Sequence, residues 1–174
     1  ALKKKLGRPV PEIRAAAELT KRPQNVWSMV PKGWVRDCPS QVWMGATIED
    51  GQSAFARMPH VMHWTANGVT TFISVEPLLG DLLAATMSYD FVDLVIVGGE
   101  SGGDARPLDL VLAERLARHV VDLGTALFWK QMGSRWAQSH GGVLVKGASH
   151  GQDPYRWPEW ARRRELPTTK DVDR

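Results

Sequence analysis

The sequence is poor in the features that most directly reveal a function. Its 174 residues include one cysteine, Cys38, so the chain by itself cannot form an intramolecular disulfide, a four-cysteine zinc site or a cysteine-ligated iron–sulfur cluster. No apolar run approaches the roughly 18 residues of a membrane helix, because Asp93 interrupts the longest one, Phe91–Val97. The basic N-terminus has no apolar stretch behind it, so no secretory signal is predicted and a cytoplasmic location is expected.

Motifs of nucleophilic, phosphate-binding and metal-dependent chemistry are also missing. Ser74 and Ser101 lack the Gly-x-Ser-x-Gly setting of a nucleophile elbow. The glycine-rich run 98–103 has no P-loop lysine, and it carries Glu100 where a dinucleotide-binding loop needs glycine. His60 and His63 lack a third metal ligand at motif spacing. We therefore predict no metal site and assign no catalytic residue.

The overall composition is that of an ordinary globular protein. Hydrophobic residues make up 43% and charged residues 24% of the chain, and the net charge is only +3. Tryptophan is the unusual component, with eight residues against two tyrosines and four phenylalanines. We interpret the tryptophans as core and interface filler; a base-stacking surface is the alternative.

Short β-rich runs alternate with longer helical patterns, which predicts an α/β fold with a mostly parallel sheet of about four or five strands. The predicted strands are Val42–Ile48, Val69–Val75, Asp93–Val97 and Thr125–Trp129, with a weaker edge strand at Val143–Val145. The predicted helices are Pro11–Leu19, Gln52–Trp64 with a break or kink at Pro59, Asp81–Met87, Leu108–Leu123 and a short one at the arginine-rich end. We treat residues 1–174 as a single domain, with a basic segment 1–19, a βα core 20–133 and an extension 134–174.

Four predicted strands end in polar residues before a turn. The carboxyl ends of parallel strands line one edge of a sheet, so these side chains are expected to surround a ligand pocket. The candidate ligand-binding residues are Glu49, Glu76, Gly98, Gly99, Glu100, Arg106, Lys130 and Gln131. In the glycine-rich turn, Glu100 would accept a cationic or amino group and Arg106 would contact an anion. The alternatives are helix caps, turn salt bridges and a merely tight structural turn.

Both ends of the chain are basic, and the C-terminal end has tryptophans among its arginines. Such interleaving can hold a nucleic-acid backbone, although solvated termini show it as well. The candidate nucleic-acid contacts are Lys3, Lys4, Lys5, Arg162, Arg163 and Arg164.

Six short motifs occur in an order that resembles a known protein family. They are Leu19–Pro23, Val42–Glu49, Arg57–His60, Phe72–Gly80, Val95–Gly102 with Ala105–Pro107, and Phe128–Gln131. Together they are similar to the later part of a phage and prophage family of uncharacterised three-cysteine-motif proteins, which resemble radical S-adenosylmethionine (SAM) enzymes. The similarity covers Leu19 to Gly133 and extends more loosely to Pro167.

The resemblance implies a partial (βα) barrel of radical-SAM type, with SAM lying across the strand ends. The eight candidate ligand-binding residues fall on the family's recurrent polar positions. Family members begin with three closely spaced cysteines, which would ligate a [4Fe–4S] cluster, and with a further strand, and this chain has neither. A SAM pocket is therefore expected to remain, whereas no [4Fe–4S] cluster and no radical chemistry are expected on this chain.

Three functional hypotheses follow. The first is a phage-type binding or regulatory protein with a strand-end ligand pocket, or, if the chain is a fragment, part of a radical-SAM-like enzyme. The second is a nucleic-acid or protein interaction module acting through the basic ends and exposed tryptophans. The third is an iron-free enzyme with Glu76 or Glu100 as general base and Lys130 as electrostatic stabiliser. Because a shortened barrel has unpaired strand edges, we also expect a homo-oligomer or a protein partner that covers one edge. No membrane partner is expected.

Overall fold

The computed structural model describes residues 16–83, 88–140 and 150–167. The described chain contains the strands β1 Ala16–Thr20, β2 Val42–Thr47, β3 Thr70–Val75, β4 Leu94–Gly98 and β5 Ala126–Gln131. All neighbouring strands pair in parallel, in the order β1-β2-β3-β4-β5. The α/β class and the parallel sheet predicted from the sequence are confirmed, and the consecutive strand order is compatible with a partial (βα) barrel.

The α-helices of the described residues are α1 Val26–Met29, α2 Gly51–Ala66, α3 Leu110–Asp122 and α4 Ser134–Ser139. Short 3-10 turns lie at Pro23–Asn25, Lys32–Val35, Pro154–Arg156 and Glu159–Ala161. The two long helices begin at aspartate caps. The Asp50 carboxylate accepts from the Ser53 backbone N–H at 2.8 Å, which lowers the pKa of Asp50.

The strands separate two buried clusters on the two faces of the sheet, because successive side chains point to opposite faces. The main cluster joins one face to the long helices. It includes Met44, Ile73, Val95, Leu127 and Trp129 from the sheet, Met58, Val61 and Trp64 from α2, and Leu116 and Val120 from α3. The second cluster lies on the opposite face and comprises Trp43, Phe72, Leu94, Ile96 and Phe128. The structure therefore has a helix-packed face and an opposite face, which we call the second face.

The predicted helix Pro11–Leu19 is wrong for its described part, because Ala16–Thr20 forms β1. Five residues of this segment pair in parallel with β2, and that sheet pairing outweighs the helix propensity of the two alanines. Of the break or kink expected at Pro59, the break is absent, since α2 continues through Pro59.

Two further predicted elements lie partly or wholly outside the described residues. Residues 81–83 are not helical; the Asp81 carboxylate accepts from the Leu83 N–H at 2.9 Å in a local turn, and the rest of the predicted helix to Met87 is not described. The predicted edge strand Val143–Val145 also falls outside the described residues.

The C-terminal segment covers the outer edge of β5. Trp129 N–H donates to the Arg163 carbonyl at 2.8 Å, and Glu165 N–H donates to the Leu127 carbonyl at 2.9 Å. Phe128 and Arg164 form an antiparallel bridge between these two hydrogen bonds. The arginine-rich end is thus not the predicted helix, because its backbone pairs with the sheet instead.

Tryptophan acts as core filler, which confirms the interpretation from composition. Five tryptophans are buried (Trp43, Trp64, Trp129, Trp136 and Trp157), and the other three are half-buried (Trp27, Trp34 and Trp160). Trp160 packs edge-on against Trp129 with ring centroids 5.0 Å apart. None of the eight falls in the exposed class, which favours core and interface filler over a base-stacking surface.

Among the described residues, no helix has both the length and the apolar character that crossing a membrane requires.

Candidate functional site at the carboxyl ends of the strands

The second face changes from apolar to charged toward the carboxyl ends of the strands. Along β3 the side chains on this face are Phe72, then Ser74, and then Glu76 immediately after the strand. Glu49 follows β2 in the same way, and Lys130 lies near the end of β5. We call Glu49, Glu76, Lys130 and Gln131 the strand-end site.

An ion pair between Glu76 and Lys130 lies at the centre of this site. Glu76 Oε1 is 2.6 Å from Lys130 Nζ, and the two side chains are 15% and 23% exposed. The other carboxylate oxygen, Oε2, accepts from the buried Ser74 hydroxyl at 2.9 Å. Oε1 is buried, and among the described residues it has no hydrogen-bond donor of good geometry besides this ion pair.

A β-bulge places two consecutive side chains of β5 on the second face. Val97 pairs with Trp129 and Gly98 pairs with Gln131, so Lys130 is an extra residue that has no partner on β4. In a regular strand, Lys130 and Gln131 would point to opposite faces. The bulge therefore explains how both side chains reach the same site.

The absence of a side chain at Gly98 lets the Glu76 carboxylate lie close to β4. A Cβ atom at Gly98 would lie 3.1 Å from Glu76 Oε1 and 3.4 Å from Gln131 Cγ. Gln131 is buried and its amide donates to the Gly99 carbonyl at 3.0 Å. Glycine at position 98 thus brings the carboxylate and the amide side by side, as the sequence predicted for the strand ends.

Glu49 belongs to a second ion cluster on the neighbouring strand. Its Oε1 accepts from Lys21 Nζ at 2.5 Å, and its Oε2 lies 3.6 Å from Arg57 Nη1. Arg57 also donates to the Thr47 carbonyl at 2.6 Å, which fixes the guanidinium at the end of β2.

The pKa of Arg106 is raised chiefly by its hydrogen bond to Glu100, with a smaller contribution from the charge of Glu49.

The side chains of Glu100 and Arg106 bind each other. Arg106 Nε donates to Glu100 Oε2 at 2.8 Å and Nη2 donates to Oε1 at 3.0 Å, and the Arg106 backbone N–H adds a third bond at 2.9 Å. The side-chain hydrogen bond from Arg106 is the main reason why the pKa of Glu100 falls to about 2. A carboxylate this acidic is a weak base, so Glu100 is a poor candidate for the general base.

At the Gly98–Gly99 turn, the loop after β4 packs closely against the loop after β5. A Cβ at Gly99 would lie 2.2 Å from the Met132 carbonyl oxygen, and a Cβ at Gly133 would lie 2.7 Å from the Glu100 carbonyl oxygen. Gly133 also has a φ of 91°, which favours glycine. The geometry therefore matches the tight structural turn that the sequence left open as the alternative.

A groove of about 530 Å³ lies away from the strand-end site. It is lined by Pro107, Leu108, Leu110, Arg135, Trp136, Gln138, Ser139 and His140. None of the eight predicted ligand-binding residues is among them, so this groove lends the strand-end prediction no support.

The predicted nucleic-acid contacts at the C-terminus have partners within the chain. Arg162 Nε donates to the Trp157 carbonyl at 2.9 Å, and Arg163 Nη1 pairs with Glu165 at 2.6 Å. The Arg164 guanidinium lies over the rings of Phe128 and Trp157. Lys3, Lys4 and Lys5 lie outside the described residues, and the described arginines give the nucleic-acid hypothesis no support.

Sequence reasoning missed Lys21, Arg57 and Ser74. Ser74 precedes Glu76 by two residues, so the alternation of a strand could have placed both on one face. Lys21 follows β1, and the incorrect helix at Pro11–Leu19 concealed a fifth strand end. Nothing in the sequence alone indicated that Arg57 of α2 reaches back to Glu49.

Comparison with known proteins identifies a family without an assigned activity. The sequence profile of the family described as "Protein of unknown function (DUF5131)" matches residues 14–165. No curated protein and no solved structure matches the chain. Since the match spans most of its length, the chain belongs to this family.

Proposed function

We propose that this member of the DUF5131 family is a binding or regulatory protein whose strand-end site takes a small molecule with both an ammonium and a carboxylate group. The observation that carries the proposal is the Glu76–Lys130 ion pair, 2.6 Å long and mostly withdrawn from solvent. It lies where ligands bind in parallel α/β sheets, at the carboxyl ends of the strands.

Ligand binding would replace one internal ion pair by two intermolecular ones. The ligand ammonium would approach Glu76, and the ligand carboxylate would approach Lys130. Burying an unpaired charge is costly, and this exchange leaves no charge unpaired. The Lys21–Glu49 pair repeats the same combination of charges on the neighbouring strand, so the complementary surface is wider than a single pair.

SAM is the ligand that the family resemblance suggests, and its aminoacyl end carries the required ammonium and carboxylate. Glycine at position 98 lets the Glu76 carboxylate lie close to β4, since a Cβ there would be 3.1 Å from Oε1. Glu76 would hold the ammonium, Lys130 would hold the carboxylate, and the Ser74 hydroxyl would keep Glu76 oriented. Bound SAM would supply a reactive sulfonium, whereas the residues of this chain bind and orient.

Isothermal titration calorimetry tests this proposal. We expect SAM to bind the wild-type chain, and Glu76→Gln and Lys130→Met each to weaken binding by about tenfold or more, because each removes a charged contact. Methionine should compete, since it carries the same aminoacyl group, and adenosine alone should compete poorly.

The matched control is the exposed Glu114–Arg118 pair of α3, whose shortest contact is 2.6 Å. Glu114→Gln removes a carboxylate from an ion pair as Glu76→Gln does, but on a helix that packs against the other face of the sheet. It should leave SAM affinity unchanged. The absence of binding heat with the wild-type chain, or equal losses in Glu76→Gln and Glu114→Gln, would contradict the proposal.

The phage-type origin and a cytoplasmic location belong to the same proposal, and the origin rests on the family resemblance. The three cysteines of a [4Fe–4S] site would have to come from outside these 174 residues, which contain one. Iron and sulfide analysis of the anaerobically purified chain should therefore find no stoichiometric cluster. A cluster on this chain alone would overturn the assignment to a binding or regulatory role.

A further inference from the structure

The bulge at Lys130 needs an explanation, because it interrupts the β4–β5 ladder at the residue that pairs with Glu76. An extra residue in a strand loses its ladder partners, and its backbone groups must find others. Lys130 has no partner on β4, and its carbonyl oxygen accepts instead from Arg164 Nη2 at 3.2 Å. The carbonyl of the bulged residue is thus bound by a side chain of the C-terminal segment.

Arg164 is held firmly enough to fix that carbonyl. We call residues 163–166 the strap, since their backbone pairs with the outer edge of β5 on both sides of Arg164. The guanidinium lies 5.4 Å from the centre of the Phe128 ring and 5.1 Å from that of Trp157, at cation–π distances. Leu166 packs against the cluster on the second face and anchors the end of the strap.

We infer that Arg164 is a positioning residue for the strand-end site. It binds the carbonyl of the bulged Lys130, keeps the bulge in place and so directs the Lys130 ammonium toward Glu76. The part of this inference that concerns ligand affinity rests on the proposed function; the part that concerns the Glu76–Lys130 pair does not. The strap therefore completes the site from outside the sheet, through the backbone of β5.

The test compares Arg164→Met with Arg162→Met. Arg164→Met keeps much of the aliphatic stem that packs on Phe128 but removes the donor to Lys130. Arg162→Met is the matched control, because Arg162 donates to the carbonyls of Trp157 and Tyr155 and not to Lys130. Arg164→Lys is the conservative variant, which keeps the positive charge without the planar fork of donors.

The first measurement uses no ligand. Lysine acetylation by acetic anhydride, read by mass spectrometry, reports how firmly the Lys130 ammonium is held. We expect Lys130 to react several-fold faster in Arg164→Met than in the wild type, with Arg162→Met at the wild-type rate. An unchanged rate in Arg164→Met, or an equal rise in Arg162→Met, would overturn the inference. If Arg164→Met does not fold, Arg164→Lys decides by the same comparison.

The second measurement is SAM calorimetry on the same variants, where Arg164→Met should lower the affinity by about tenfold. If Lys130 reacts faster but wild-type protein binds no SAM, the positioning role stands and the proposed ligand fails. If SAM binds and neither the acetylation rate nor the affinity changes in Arg164→Met, the proposed function stands and the positioning role fails.

Discussion

At the scale of single residues, backbone crowding fixes the loops around the strand-end site. Gly99 lies so close to the Met132 carbonyl that any side chain would overlap it, and Gly133 faces Glu100 in the same way. A Cβ at Gly103, in the same glycine-rich run, would have no other atom within 4 Å. The run thus contains both a required glycine and a replaceable one.

Gly99→Ala should destabilise the fold strongly. A Cβ 2.2 Å from a backbone oxygen forces the β4–α3 and β5–α4 loops apart, and overpacking of this kind costs about 3 kcal/mol. Urea unfolding should show this loss, while Gly103→Ala should stay within about 0.5 kcal/mol of the wild type. Equal stability of the two variants would show that the loops do not make this contact.

Glu100 should titrate well below an ordinary glutamate. The pKa of Glu100 in the folded protein is about 2, below the ordinary 4.5, mainly because of the side-chain hydrogen bond from Arg106. Its stabilising contribution is therefore complete above pH 4.5 and is lost as the pH falls toward 2. Carboxyl NMR should give a midpoint near 2 for Glu100, and Arg106→Gln should return it toward 4.5. A normal midpoint in the wild type would contradict the bidentate pair.

Residue types at strand ends were the most informative part of the sequence. Glu76, Lys130 and Gln131 were predicted to meet, and the structure brings them together beside Gly98. Glu100 and Arg106 were predicted as ligand contacts, but they bind each other. The sequence could not distinguish these cases, since a charged residue at a strand end looks the same whether its partner is a ligand or the chain itself.

At the scale of elements, the start of a helix is set by its cap. The periodic pattern predicted Leu108–Leu123, yet α3 begins at Leu110 because the Asp109 carboxylate accepts from the N–H groups of Val111 and Leu112. The apolar spacing identifies the buried face of a helix, whereas the cap decides where the helix begins.

Asp109→Ala should cost about 1 kcal/mol of stability, since it leaves two N–H groups at the start of α3 without their side-chain acceptor. Asp109→Asn keeps an oxygen acceptor at the cap and should lose much less. Chemical denaturation of the three proteins makes the comparison. A similar loss in both variants would indicate that the charge, and not the hydrogen bond, supports the helix.

Pairing between distant segments was what the sequence could not show. The Ala-rich segment before Thr20 has a local preference for helix, but β1 exists because β2 lies beside it. The bulge at Lys130 likewise depends on β4 and on Arg164, which is 34 residues away in the chain. The buried strands β3 and β4 were predictable because their apolar runs are local.

At the scale of the whole molecule, the two edges of the sheet differ. The strap covers the outer edge of β5, whereas β1 pairs only with β2 within the described residues. An edge strand with unpaired backbone groups tends to acquire a partner strand. We propose that the β1 edge is where a second copy of the chain or another protein adds, as the sequence led us to expect.

Light scattering should therefore find an oligomer or a stable complex with a partner protein, and hydrogen exchange should show protected amides in β1. Dilution to monomer should remove the protection from the β1 amides that point away from β2 and leave that of β4 unchanged, because β1 keeps its pairing with β2 and β4 lies between two strands. A monodisperse monomer that captures no partner would contradict this proposal.

The central claim is that the strand-end site is where the ligand binds, and mapping by NMR tests it most directly. SAM added to isotope-labelled protein should shift the signals of Glu49, Glu76, Gly98 and Lys130, and should leave the Glu114–Arg118 pair of α3 unmoved. Shifts confined to the groove beside α4, or no shifts at all, would contradict the account.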